Sequence, residues 1–83
     1  MKIREKFVKM LYDNGLFEKE AEAVIEHYVN SPIGADMKEC LNEDEANYPK
    51  PMMAVVWVGI KHSAVEWIDA NHPQHWARAV FAQ

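Results

Sequence analysis

The run Met52 to Ile60, MMAVVWVGI, has no charged side chain in nine residues, and it constrains the fold more than any other part of the chain. Nine residues are less than half of the ~20 needed to cross a bilayer, so the run must be surrounded by protein. Val, Trp and Ile in succession also suit a buried strand. The pattern, however, continues past Ile60: Met53, Val56, Trp57, Ile60, Ala64, Trp67 and Ile68 keep steps of three and four, which a helix requires and a single strand does not. Pro51 suits the first helical turn, and Asn71-His72-Pro73 ends the element. The spacing therefore predicts a central helix over 51–71, about 30 Å long at the usual rise.

Two amphipathic helices precede it. Ile3, Phe7, Met10 and Leu11 form one helical stripe, with Gly15 placed as a left-handed C-cap. Ala21, Val24, Ile25 and Tyr28 form the next stripe. It opens with Glu18, Glu20 and Glu22, where the helix dipole favours carboxylates, and stops at Asn30-Ser31-Pro32. The short connector Gly15-Leu16-Phe17 makes residues 2–29 an αα-hairpin. Residues 31–50 read as a polar acidic loop with one short helix anchored by Met37 and Leu41. A last turn or short helix from Pro73 is expected to return Trp76, Val80 and Phe81 to the core. The fold class is thus all-α, a small helical bundle in one domain over 1–83.

A chain of 83 residues is near the limit at which one core suffices, and a helix half that is apolar on every side needs cover on every side. Met52, Val55, Val58 and Gly59 lie off the main stripe yet carry no charge, which predicts a homodimer interface there, with Gly59 admitting a close backbone approach. The alternative cover is the loop, through Met37, Leu41 and Tyr48.

Charge is unevenly spread. Lys2, Arg4, Lys6 and Lys9 against Glu5 give residues 1–10 a sum of +3, whereas residues 11–30 and 31–47 each sum to -4. Net charge is -4, which argues against a nucleic-acid binder. A helix-turn-helix reading fails as well, because Glu18 to Val29 has the wrong sign for a major groove. The acidic middle is the candidate partner surface: Glu18, Glu22 and Glu26 on one helical ridge, and Glu43, Asp44 and Glu45 in the loop. These side chains are expected to be free to meet a basic protein surface; if that contact is not used, Tyr48, Trp76 and Phe81 offer an apolar one.

No motif names a chemistry. His62, His72 and His75, with Glu66, invite a small metal-dependent hydrolase, but His72-Pro73-Gln74-His75 is a single pair with no HExxH motif and no second pair. They read as surface and turn residues, so no metal and no cofactor is expected. His62 and Glu66 are one turn apart and read as a surface pair. Ser31, Ser63 and Cys40 sit in no nucleophile motif. The lone Cys40, in a polar stretch, implies a reducing compartment, and the N-terminus lacks the plan of a signal peptide.

The strings Lys2-Ile3-Arg4-Glu5-Lys6-Phe7-Val8, Gly15-Leu16-Phe17-Glu18, Tyr48-Pro49 with Met52-Met53-Ala54-Val55, and Val65-Glu66-Trp67-Ile68-Asp69-Ala70-Asn71 resemble a group of small proteins of tailed bacteriophages and prophages. The likeness covers most of the chain outside 31–47, and the group carries no assigned reaction to transfer. It implies an accessory protein of the bacterial host cytoplasm that acts by binding a protein, inhibition of a host defence or regulatory factor being one such role. A minor virion or packaging component is the alternative.

Overall fold

A computed structural model describes residues 1–83. It contains four α-helices and no strand: α1 (Ile3–Asp13), α2 (Glu18–Val29), α3 (Lys50–Asn71) and α4 (Arg78–Phe81), with three 3₁₀ turns at Ala35–Met37, Cys40–Asn42 and Glu45–Asn47. The all-α bundle read from the stripes is the fold, and the run Met52–Ile60 is helical throughout.

The hairpin is closed by its predicted glycine. Gly15 takes φ 117°, the Leu16 N–H donates to the Leu11 carbonyl (3.2 Å) and the Gly15 N–H to that of Tyr12 (3.0 Å). This is the paired bonding of a left-handed helix stop, with Leu11 and Leu16 both buried beneath it. The ring of Trp76 lies against Gly15 where a Cβ would stand. The start of α2 is held by Glu20, whose Oε1 accepts from the Phe17 N–H at 2.8 Å. Its end is held by the Asn30 amide on the Glu26 carbonyl (2.9 Å) and the Ser31 hydroxyl on the Tyr28 carbonyl (2.6 Å).

One core runs the length of the molecule. Ile3, Phe7 and Leu11 from α1, Ala21, Val24, Ile25 and Tyr28 from α2, and Met53, Val56, Ile60, Ala64 and Ile68 from α3 are all buried in it. Trp57 lies parallel to Phe7 (centroids 6.0 Å apart) and meets the edge of Phe81 (6.4 Å), so α4 closes the bundle end. The Arg78 guanidinium grips both oxygens of Asp69, pinning α4 to α3. The radius of gyration, 11.9 Å, is close to the ~12 Å of a compact chain of this length.

Three expectations need correction. Of the C-terminal residues expected in the core Phe81 is buried there, but Trp76 is 68% exposed and Val80 is on the surface, and Ala77 is the second residue that fills the place. The single short helix expected around Met37 and Leu41 is a string of three-residue 3₁₀ turns, a geometry that suits short segments following a surface. Cys40, expected in a polar stretch, is buried beside Leu41.

Segment 31–49 is better ordered than a hydrated loop because its far end is stitched to α1. The Ile3 N–H donates to the Glu43 carbonyl (2.9 Å) and the Glu45 N–H to that of Met1 (3.1 Å), around an antiparallel bridge between Lys2 and Asp44. Its near end turns on Gly34, where a Cβ would collide with the Tyr28 carbonyl.

Candidate binding surface

The predicted acidic surface is partly neutralised from within. Arg4 on α1 places one terminal nitrogen 2.9 Å from Glu22 and 3.0 Å from Glu26. The ridge expected to be free is therefore a clamp between α1 and α2. Of the three ridge residues, Glu18 alone remains exposed without an ion pair. In the loop, Lys6 lies 2.8 Å from Glu45 and the N-terminal amine 3.4 Å from Asp44. Glu43 accepts from the Tyr48 hydroxyl. The Ala46 N–H and then the amine hold the Asp44 carboxyl below the ordinary carboxylate range, and the bond to Glu43 drives the Tyr48 hydroxyl pKa upward. The basic run of residues 1–10 thus sits between the two acidic stretches and pairs with Asp13, Glu22, Glu26, Asp44 and Glu45.

The histidines divide into two separate sets. His62 and Glu66 are the expected pair on α3 (3.5 Å), but the other oxygen of Glu66 is bonded by His27 of α2 at 3.1 Å. His72 and His75 stand edge to face at the far end of α3. His75 Nδ1 accepts from the Ala77 N–H (3.1 Å), which places its proton on Nε2, 3.7 Å from Glu20. The two imidazoles on Glu66 take different oxygens, and no three His, Cys, Asp or Glu side chains gather as a metal-binding group. The residues needed for the hydrolase reading, His62, Glu66, His72 and His75, are not brought together. Ser63 is buried with its hydroxyl unpaired, and Ser31 is spent on capping α2.

A feature not foreseen in full lies on α3. Val55 is 71% exposed and Val58 61%, and beside them Ile33 of the loop is 55% exposed. With Met37, Met52, Tyr28 and His62 they line a groove of about 580 Å³ between α3 and the first 3₁₀ turn. Two of its residues are methionines, whose flexible thioether chains suit an adaptable contact. Of the residues predicted as an oligomer interface, Val55 and Val58 are the exposed ones and Met52 is half-buried. Gly59 has a different role from the one expected. A Cβ there would stand 2.9 Å from Tyr28 Cε1, so the missing side chain admits the α2 tyrosine ring, not a second backbone. Of the predicted cover, Leu41 is buried and Met37 and Tyr48 half-buried, yet Val55 and Val58 stay open. The role of Ile33 as a wall was missed; its one sequence signal is an isolated apolar residue between Pro32 and Gly34. Of the alternative apolar contacts, Phe81 is buried and Tyr48 half-buried, leaving Trp76 exposed.

No helix is long and apolar enough to cross a membrane. Comparison with protein-family models, with curated proteins and with solved structures finds no match.

Proposed function

We propose that this chain is a non-enzymatic binding module, a phage- or prophage-type accessory protein of the bacterial host cytoplasm that acts on a protein partner through the groove of α3. The observation that carries this reading is the meeting of Ile33, Val55 and Val58 with Met37 and Met52 in one concavity. Exposed apolar side chains are ordinary singly, whereas a contiguous patch framed by polar residues marks a contact site. Against an acidic contact stands the pairing of Glu22, Glu26, Asp44 and Glu45 within the chain. A partner that engaged these carboxylates would first have to displace Arg4 and Lys6. The phage context rests on the resemblance of the quoted strings, and inhibition of a host factor is the role that context favours.

The test is capture from a bacterial host extract with three forms of the chain. Val58→Glu, on an exposed helical position, keeps the fold and loses the partner. Glu22→Gln with Glu26→Gln keeps the partner at a small cost in stability. The reverse pattern restores the acidic surface as the working one. A second copy of the chain is the other reading of the same face, since Val55 and Val58 are close to one turn apart and can pack on their own symmetry mates. Light scattering at tens of micromolar separates the two: a dimer that Val58→Glu converts to monomer assigns the groove to self-association.

A further inference from the structure

We infer that residues 31–49 form a strap that opens as a unit while the three main helices stay folded, with the contacts between residues 1–6 and 43–45 as its latch. The strap has the marks of a low-stability region. It holds its shape with 3₁₀ turns in place of regular helix, and Leu41 at 1% and Cys40 at 9% exposure are its only buried side chains. The helices, by contrast, share a core of many buried side chains drawn from α1, α2 and α3.

The two ends of the strap are held differently. The near end is packed. Gly34 sits against the Tyr28 carbonyl where no side chain would fit, and the Ser31 hydroxyl bonds the same carbonyl. The far end is largely electrostatic and partly exposed: Lys6 to Glu45 at 2.8 Å, the amine to Asp44 at 3.4 Å, and two backbone bonds, Ile3 to Glu43 and Glu45 to Met1. Exposed pairs of this kind are weak and are screened over ~8 Å at physiological ionic strength. The strap is therefore hinged at 31–34 and latched at 43–45. Opening lifts Leu41 off α1 and withdraws Met37, the part of the groove wall beyond the hinge. It uncovers apolar surface on α1 and leaves the exposed α3 face without its rim, so the latch governs which apolar surface the protein presents. This inference does not depend on the identity of any partner.

Cys40, the only cysteine, reports opening directly. The experiment is labelling of the full chain by a disulfide reagent such as dithionitrobenzoate under native conditions, with rates followed against urea and salt and set beside the global unfolding curve. Labelling is expected to exceed the rate that global unfolding allows and to depend only weakly on urea. Glu45→Gln, or a rise in salt from 50 to 500 mM, should accelerate it roughly three- to five-fold, the scale of one exposed ion pair. Arg4→Gln, which loosens α1 from α2 and touches no strap residue, should leave the native labelling rate unchanged. Three results overturn the inference: labelling as steep in urea as global unfolding, Arg4→Gln accelerating it as much as Glu45→Gln, or a rate insensitive to both salt and Glu45→Gln.

Discussion

Gly59 offers a test in which two accounts of one residue predict opposite signs. In the middle of a helix, glycine is worse than alanine by about 1 kcal/mol. If Gly59 faced only solvent or a loosely seated second copy, Gly59→Ala would stabilise the monomer by about that amount. The structure instead puts Tyr28 Cε1 at 2.9 Å from the added methyl, closer than carbon atoms sit in ordinary packing. The ring has little room to yield. Tyr28 is 3% exposed, its carbonyl is bonded by both the N–H and the hydroxyl of Ser31, and Gly34 is pressed against that same carbonyl. Forcing a methyl into such a place typically costs 1–3 kcal/mol. Set against the propensity gain, the net expectation for Gly59→Ala is a loss of about 1 kcal/mol, or roughly 4–8 °C in Tm for a domain of this size. Urea unfolding followed by tryptophan fluorescence measures it. The Tyr28→Leu background supplies the internal control: once the ring edge is gone, Gly59→Ala should become stabilising, and the cycle should show coupling of about 1–2 kcal/mol. A rise in stability on Gly59→Ala in the wild-type background refutes the intramolecular role and returns Gly59 to the interface account.

Ser63→Ala removes a buried hydroxyl that has no partner. Because an unsatisfied buried polar group is costly, the variant should unfold at equal or higher urea, by up to about 1 kcal/mol, where most core truncations lose stability. Asp69 has its carboxyl held low by the Arg78 bond, and Asp44 is shifted the same way. A depressed folded value gives stability that is present above the unfolded carboxylate value of ~3.9 and is lost as pH falls toward the folded value. Thermal melts from pH 6 down to 2 should therefore decline below about pH 4, and Asp69→Asn should flatten part of that limb while lowering Tm slightly at neutral pH. Glu22→Lys with Glu26→Lys would set two cations against Arg4, so circular dichroism melts should show it less stable than Glu22→Gln with Glu26→Gln.

The helices were legible because their cause is local. The stripes of α1 and α2, the three-and-four spacing through Ile68 and the stop at Gly15 all follow from residues within a few turns of one another, and α3 begins within a residue of its expected start. The fate of the acidic side chains was not legible, since it depends on contacts between distant segments. Arg4 finds Glu22 and Glu26 eighteen and twenty-two residues away, and Met1 finds Asp44 forty-three away. A helical ridge shows that three glutamates point away from their own core, but not that a neighbouring helix has an arginine at that height. The sums of +3 and -4 held the hint that the basic stretch pairs with its acidic neighbours. Trp76 misled for a related reason. A large aromatic near the terminus suggests core, yet the space at the end of the bundle is filled by Ala77 and Phe81, and Trp76 covers Gly15 from outside. The groove was half legible: Val55 and Val58 stood out as uncharged and off the stripe, while its other wall, Ile33, comes from a segment with no periodicity to read.

The claim that the apolar groove and not the acidic surface is the contact is tested most directly by the backbone amide spectrum of isotope-labelled chain, titrated with the protein it captures. The account predicts that shifts concentrate at Ile33, Met37, Val55, Val58, Gly59 and His62, with an affinity little changed by salt. Shifts concentrated at Glu18, Glu22, Glu26 and Glu43 to Glu45, with an affinity that collapses as salt rises, would contradict it.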